Sequence, residues 1–169
     1  MTMVKMMIPT REECLKILEE NNVPDNIIAH SEKVLEVAMK LADLLERRGI
    51  SVNRDMVAAA ALLHDVKKVG SKDHLIEGYK FIKSMGFPEV ALVIRKHGLA
   101  NLDKDGFVPK TFEEKIVFYA DKRVKHDRIV SVDERFSYVI KRYNTYDVQK
   151  ELDFTKKMEK ELLGDEKIE

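Results

Sequence analysis

The sequence contains a single cysteine, carries no net charge, and has no long uninterrupted hydrophobic run. Because Cys14 has no second cysteine to pair with, an internal disulfide and a multi-cysteine zinc site are both excluded. The 30 Lys and Arg residues are balanced by 30 Asp and Glu residues, which argues against a dedicated nucleic-acid binder with its usual basic excess. Apolar stretches such as Met56–Leu63 fall far short of the ~20 residues needed to span a bilayer.

The first ten residues, MTMVKMMIPT, do not match a secretory signal. They are apolar but shorter than a signal h-region, and they lack a small-residue cleavage site. We therefore expect a cytoplasmic protein. At 169 residues the chain is long enough to bury a sizeable core. We expect residues 1–169 to form one domain, with its core in about 24–143 and a C-terminal helix and charged tail in 145–169.

The apolar residues are spaced as in helices along the whole chain, and no convincing strand alternation is present. Three capping boxes predict helix starts at Thr10, Thr111 and Ser131. We therefore predict an all-α fold, a compact bundle of about seven or eight helices. Around the polar residues discussed below, the predicted segments are a helix from Asn53 to Gly70, a helix from Lys72 to Met85 capped by Ser71, a helix from Pro88 to Gly98, a polar loop over Leu99–Lys110, and a helix from Thr111 through Val124.

Four polar side chains lie on helix faces that are otherwise apolar. They are His30 in register with Val34, Val37 and Leu41; His64 after Val57, Ala60 and Ala61; His97 after Val90, Val93 and Ile94; and Asp121 between Val117 and Val124. Such faces turn toward the core, where an unpaired polar group costs on the order of 1–3 kcal/mol. A single buried histidine is commonly satisfied by a hydrogen bond. Four helices that each bring one His or Asp inward are better explained by a shared divalent metal ion.

Other residues of the same types are weaker candidates. His74 stands in the first turn of its predicted helix, where it could simply be exposed. His126 lies in the charged run Lys125–Arg128 and is expected to face solvent. Cys14 has no nearby base and is expected to be a small core residue.

The order of a His, a His-Asp pair and a final Asp resembles the HD-domain superfamily of metal-dependent phosphohydrolases. The resemblance is carried by HSEKVLEVAMKLA from His30, AAALLHDVKK around His64 and Asp65, and VFYADKRV around Asp121, and it covers over half of the chain. It implies the helical HD-domain fold, and it implies that these four residues coordinate one divalent metal ion.

A second metal ion is implied by the same resemblance. Superfamily members that hold two ions add two histidines between the His-Asp pair and the final aspartate. His74 and His97 stand in that interval, which implies a dinuclear site in which Asp65 bridges the ions. Histidine and carboxylate ligands suit Mn²⁺, Fe²⁺, Ni²⁺, Co²⁺ and Mg²⁺, so the cofactor is one or two divalent ions of open identity.

The resemblance also implies a function, the hydrolysis of a phosphomonoester or phosphodiester in a nucleotide or related small molecule. The chain lacks the Gly-Tyr-Pro signature of cyclic-di-GMP phosphodiesterases, because Gly78-Tyr79 is followed by Lys80. It has Lys67-Lys68 where guanosine tetraphosphate hydrolases place an acidic pair. The pattern His-Asp-x-x-Lys looks more like the freestanding HD hydrolases that include diadenosine tetraphosphate hydrolases.

Three residues are expected to act on the substrate directly. Asp65 would orient the attacking water and could accept its proton. Lys68 lies one turn beyond His64, so its ammonium group can reach a substrate phosphate, although it could also be a surface lysine. Arg128 is a second phosphate candidate, because it shares a face with Asp121 if that helix persists.

Other functions stay open on the sequence alone. The chain could be a metal- or nucleotide-binding module without turnover, a nuclease acting on single strands, or an oxygenase like the family's diiron inositol oxygenases. No membrane or long nucleic acid is expected as a partner. A homo-oligomer could form through aromatic residues near the C-terminal helices, namely Phe136, Tyr138, Tyr143 and Tyr146.

Overall fold

The computed structural model describes residues 6–143 and 148–169, and its regular structure is almost entirely helical. The elements are α1 (Arg11–Glu20), α2 (Asp25–Arg47), α3 (Arg54–Leu63), α4 (His74–Ser84), α5 (Pro88–Arg95), α6 (Phe112–Asp121), β1 (Val124–Lys125), β2 (Arg128–Ile129), α7 (Val132–Tyr143) and α8 (Gln149–Leu163). The predicted all-α class is confirmed. None of these helices is long and apolar enough to cross a membrane.

The predicted capping boxes begin two of the helices. At α1 the Thr10 hydroxyl accepts a hydrogen bond from the Glu13 backbone N–H at 3.1 Å, and the Glu13 carboxylate accepts one from the Thr10 N–H at 3.3 Å. Thr111 and Glu114 repeat this exchange at α6, with distances of 3.1 and 2.9 Å. Ser131 accepts the corresponding backbone bond at the start of α7. Each box satisfies N–H groups that a helix start leaves unpaired.

Helix α2 is the central element of the fold, packed against α3, α6 and α8. Its inner stripe is completely buried and consists of Val34, Val37, Ala38, Leu41 and Leu45. α3 packs in turn against α1, α5 and α6, while α4 packs against α5. Because burial of apolar surface contributes roughly 25 cal/mol per Å², this shared core fixes the positions of the helix ends that carry the polar residues.

Two helix boundaries near the His-Asp pair differ from the prediction. α3 ends at Leu63, not at Gly70, and the chain continues as a turn in which the Lys68 N–H donates to the Asp65 carbonyl at 3.0 Å. α4 begins at His74, where Asp73, not Ser71, provides the cap. Both hydroxyl and carboxylate side chains cap helices well, so composition alone did not separate the two candidates.

The segment after α6 contains a hairpin that the sequence did not predict. α6 ends at Asp121 and does not reach Val124, which instead pairs with Ile129 in a short antiparallel ladder. At the turn, His126 has a φ of 57°, in the left-handed region. The expectation of no strand was therefore wrong, because strands of two residues are too short to produce an alternating pattern.

The C-terminal part agrees with the prediction only partly. The last helix was predicted from Thr145, but residues 144–147 lie outside the described part of the chain, and α8 begins at Gln149. Of the proposed interface aromatics, Phe136 is 2% exposed and belongs to the core, so it does not contribute to an oligomer surface. Tyr143 is exposed, while Tyr146 lies outside the described residues.

Candidate metal centre

Two helix ends and one helix interior bring four polar side chains to a common point. His30 lies near the start of α2, His64 and Asp65 follow directly after α3, and Asp121 is the last residue of α6. All four side chains are buried. One nitrogen or oxygen atom from each lies within 4.8 Å of the corresponding atoms of the others. The structure thus brings together the set selected from the sequence.

The imidazole Nε2 atoms of this cluster face the two carboxylates. His30 Nε2 lies 3.0 Å from Asp121 Oδ1 and 3.6 Å from Asp65 Oδ2. His64 Nε2 lies 3.3 Å from both the Asp121 Oδ1 and the Asp65 Oδ2 atoms. The two rings and two carboxylates therefore surround a space of the size that a single cation coordinates.

A second cluster shares Asp65 with the first. His97, two residues beyond α5 and buried, places Nε2 at 3.5 Å from Asp65 Oδ1. His74, the first residue of α4, places Nε2 at 3.8 Å from the same oxygen and keeps about a third of its side chain exposed (38%). His74, the weaker candidate from the sequence, is thus placed beside Asp65, with its imidazole partly open to solvent.

The hydrogen bonds of the buried histidines show whether the cluster suits a metal. The Nδ1 atoms of His30, His64 and His97 lie 2.7, 2.7 and 2.6 Å from backbone carbonyl oxygens. Because a carbonyl only accepts, each Nδ1 carries a proton, and the Nε2 lone pair of a neutral ring points toward the carboxylates. Acceptors facing acceptors repel unless a cation or an added proton lies between them. The donor set therefore fits a divalent cation, and these carbonyls are the outer partners that metal-bound histidines normally have.

At His64, the absence of a hydrogen donor between facing acceptor atoms is most evident. Its Nε2 atom is fully buried and has no hydrogen-bond partner of acceptable geometry among the described residues. Burial would lower the pKa of His64, but the Asp65 and Asp121 carboxylates outweigh burial and raise it to about 10. The two carboxylates thus attract positive charge strongly, whether a proton on His64 or a metal ion that replaces it.

The carboxylates themselves are kept ionised. Burial would raise the pKa of Asp65, but His64 and His97 hold it well below its usual range. Burial would also raise the pKa of Asp121, but Lys122 and His30 outweigh burial and hold that pKa well below its usual range. Ionised carboxylates and neutral imidazoles are the protonation states that divalent metals bind.

Lys122 is a buried residue of the site that sequence reasoning did not select. Its ammonium group lies 2.6 Å from Asp121 Oδ2 and donates to the His97 backbone carbonyl at 2.8 Å. It occupies the outer oxygen of Asp121 and leaves Oδ1 facing the histidines. In the sequence, Lys122 was one of several basic residues after Asp121, and nothing in the pattern marked it as buried.

Lys68 lies at the open side of the centre. Its Nζ atom is 3.7 Å from Asp65 Oδ2, and 38% of its side chain is exposed. Burial would lower the pKa of Lys68, but the Asp65 and Asp121 carboxylates raise it overall. The ammonium group is therefore charged at neutral pH and accessible, as expected for a residue that binds a substrate phosphate.

Arg128 does not have the position expected for it. Because α6 ends at Asp121, Arg128 lies exposed on β2 and does not share a helix face with that residue. The premise for its role as a phosphate ligand is therefore wrong. Arg135 on α7 is near enough to oppose, as the smallest of several effects, the overall rise in the pKa of Lys68. Its Nε donates to the Val124 carbonyl at 3.1 Å.

Comparison with known families agrees with this geometry. The family model described as "HD domain" matches residues 27–125. This range includes all six residues of the two clusters. A crystal structure of a predicted HD superfamily hydrolase from an uncultured Thermotogales bacterium superposes with a TM-score of 0.51, covering 92% of this chain and 86% of that one at 24% identity, and so shares its fold.

Similar curated proteins differ in length and name. A tRNA (cytidine(56)-2'-O)-methyltransferase of Picrophilus torridus is 36% identical over 75% of this chain, which spans only 40% of that protein. An uncharacterized protein of Methanocaldococcus jannaschii is 30% identical over 78% of this chain and 83% of its own length. A dihydroneopterin 2',3'-cyclic phosphate phosphodiesterase from the same organism is 32% identical over 57% of this chain and 45% of its own.

Proposed function

The chain belongs to the HD-domain family, and from this premise we propose that it is a divalent-metal-dependent phosphohydrolase. Its substrate would be a nucleotide or a related small phosphate ester. The observation that carries the proposal is the set of buried Nε2 atoms facing the Asp65 and Asp121 carboxylates, an arrangement that only a positive charge makes favourable.

The relatives suggest which phosphate esters to test first. Similarity to the dihydroneopterin 2',3'-cyclic phosphate phosphodiesterase supports a small cyclic phosphodiester. The similarity to tRNA methyltransferases gives no basis for proposing a methyltransferase activity for this chain, because the chain spans only about two fifths of their length. More than half of each methyltransferase lies outside the part that this chain matches.

The metal ligands follow from the two clusters. One ion would be held by His30, His64, Asp65 and Asp121, and a second by Asp65, His74 and His97. A bound divalent cation supplies Lewis acidity toward phosphoryl oxygens and lowers the pKa of a water molecule. Mn²⁺, Fe²⁺, Ni²⁺, Co²⁺ and Mg²⁺ all accept these ligand types, so all five belong in the assay.

Asp65 and Lys68 would act on the reactants. Asp65 would orient the attacking water through a carboxylate oxygen and accept its proton there once a bound cation has lowered the pKa of that water. Lys68 would pair with a phosphate oxygen of the substrate from the open side of the site.

The test is phosphate-ester hydrolysis by the purified protein with each metal. Substrates should include a 2',3'-cyclic nucleotide, bis(p-nitrophenyl) phosphate, a mononucleotide and diadenosine tetraphosphate. We expect hydrolysis that is abolished by chelator and by Asp65→Ala. The matched control is Asp43→Ala, an exposed aspartate on α2 about 20 Å along the helix from His30, which should retain full activity. Activity in chelator, or activity retained by Asp65→Ala, would sink the proposal.

Other outcomes of the same assay identify the alternatives. A protein that binds metal but hydrolyses none of the substrates would be a binding module. Cleavage of single-stranded oligonucleotides without hydrolysis of small esters would indicate a nuclease, and oxygen consumption with iron would indicate an oxygenase.

A further inference from the structure

The three buried histidines obtain their Nδ1 acceptors in two different ways. His64 and His97 follow the ends of α3 and α5, and each donates to the carbonyl three residues earlier, Ala61 or Ile94. Both acceptors lie in the last turn of the helix that the histidine follows, so they are local and require no other element; the Ile94 carbonyl accepts the His97 backbone N–H at 3.2 Å as well.

His30 cannot use this solution. It lies inside α2, where the neighbouring carbonyls already accept intrahelical hydrogen bonds. Its Nδ1 instead donates to the His126 carbonyl at 2.7 Å, across 96 residues of sequence. The segment around His126 therefore supplies the hydrogen-bond acceptor that is not free within α2.

The acceptor lies at the turn of the β1–β2 hairpin, in an unfavourable backbone conformation. His126 has a φ of 57°, in the left-handed region that residues other than glycine seldom adopt. The hairpin is supported from α7, because Arg135 Nε donates to the Val124 carbonyl at 3.1 Å and the His126 ring packs edge-on against Tyr138 with centroids 5.2 Å apart. The backbone strain falls on the residue whose carbonyl contacts His30.

We propose that the β1–β2 hairpin is part of the metal centre and that residue 126 is a positioning residue acting through its main chain. The left-handed conformation directs the His126 carbonyl at His30 Nδ1, which fixes the tautomer and the orientation of the His30 ring. The imidazole of His126 is exposed and packs against Tyr138, whereas the contact with His30 is made by the main-chain carbonyl alone. This inference rests on the metal site of the proposed function but not on the reaction.

The proposal is tested by measuring the metal affinity of variants of residue 126 that differ in their preference for a left-handed backbone conformation. Glycine and asparagine accept a left-handed conformation, whereas β-branched valine does not. By isothermal titration of the metal-free protein with Co²⁺, we expect His126→Val to bind about 10- to 100-fold more weakly than wild type, the usual loss when an outer partner of a metal-bound histidine is disturbed. His126→Gly and His126→Asn should remain within about threefold.

Each other result overturns the inference in a recognisable way. Equal affinity of His126→Val and wild type would mean that the carbonyl does not position His30. Equal weakening of all three variants would mean that the imidazole acts, not the backbone. If wild type itself does not bind Co²⁺, the proposed metal site fails, and the role of the hairpin fails with it.

A second measurement covers the case in which His126→Val does not fold. In wild-type protein labelled with ¹⁵N-histidine and loaded with Zn²⁺, His30 should carry its proton on Nδ1, and that proton should exchange slowly with solvent. A proton that exchanges as fast as that of a free imidazole, or a His30 protonated on Nε2, would contradict the proposal.

Discussion

Asp65 is the residue on which both clusters depend, because its two oxygens face different histidine pairs. Oδ2 faces His30 and His64, whereas Oδ1 faces His74 and His97. His74 contributes to the second cluster alone. The two clusters can therefore be separated by single substitutions.

We predict that His74→Ala binds one metal ion fewer per chain than wild type and that Asp65→Ala loses both. The His74 imidazole is partly exposed, so its removal should leave the fold and the first cluster in place. Metal content after equilibration with Mn²⁺, measured by mass spectrometry, checks this. Equal metal content in His74→Ala and wild type would exclude His74 as a ligand.

Lys122 should be important for stability, because it is buried against Asp121. Removing one partner of a buried ion pair typically costs about 3–5 kcal/mol, and here it also takes the hydrogen-bond donor away from Asp121 Oδ2 and from the His97 carbonyl. We predict a loss of this size in the free energy of unfolding for Lys122→Met, measured by urea denaturation in chelator. The control is Lys110→Met, which breaks an exposed pair with Asp105 and should leave the free energy of unfolding nearly unchanged. Similar losses in both variants would refute the buried role.

Cys14 should be chemically inert in the folded protein. Burial, with a smaller effect of Glu13, raises the pKa of its thiol to about 12. A raised pKa means that the neutral thiol persists as pH rises, so at pH 8 only about one thiol in 10⁴ is the reactive thiolate. We predict negligible reaction with a disulfide reagent at pH 8 in the native state and complete reaction in urea. Rapid native labelling would contradict the core position seen for Cys14.

At the scale of the elements, the packing of the segment after α5 against α4 gives a further prediction. A Cβ on Gly98 would lie 2.5 Å from the Leu75 Cδ1 atom. We expect Gly98→Ala to destabilise the protein by about 1–3 kcal/mol through overpacking. In a double-mutant cycle, Leu75→Ala should remove that cost because it frees the space. Additive losses in the double variant would show that the contact is not responsible.

Helix boundaries were predictable where a local sequence pattern marks them and were missed where none does. The starts of α1 and α6 were predictable because a capping box is a local pattern of four residues. The end of α3 was not, because the sequence holds no proline or glycine between Leu63 and Gly70, so Gly70 was the first helix terminator in the pattern. The hairpin was missed because strands of two residues carry no periodicity.

The residues of the candidate metal centre were likewise predictable only where the sequence carries a local signal. His30, His64, His97 and Asp121 stood out because each interrupts an apolar helical face, a signal that survives without knowledge of the fold. Arg135 and the His126 carbonyl did not, because α7 and the hairpin reach the centre only through tertiary structure, and a backbone acceptor leaves no trace in side-chain patterns.

For the molecule as a whole, the equal numbers of acidic and basic residues conceal a local organisation. Two buried carboxylates, Asp65 and Asp121, are surrounded by imidazoles and by the cations of Lys68 and Lys122. The net charge therefore excludes little about a small phosphorylated substrate. The charged groups that bear on metal binding lie inside the bundle, where the net charge of the chain does not reveal them.

The central claim is that this interior cluster binds a divalent metal ion, and calorimetric titration of the metal-free protein with Mn²⁺ tests it most directly. Wild type should bind at least one ion per chain with release of protons, because the Asp65 and Asp121 carboxylates raise the pKa of His64 and a metal ion competes with protons for the same Nε2 atom. His64→Gln combined with Asp65→Ala should bind none at this site. No binding by wild type, or unchanged binding by the double variant, would contradict the account.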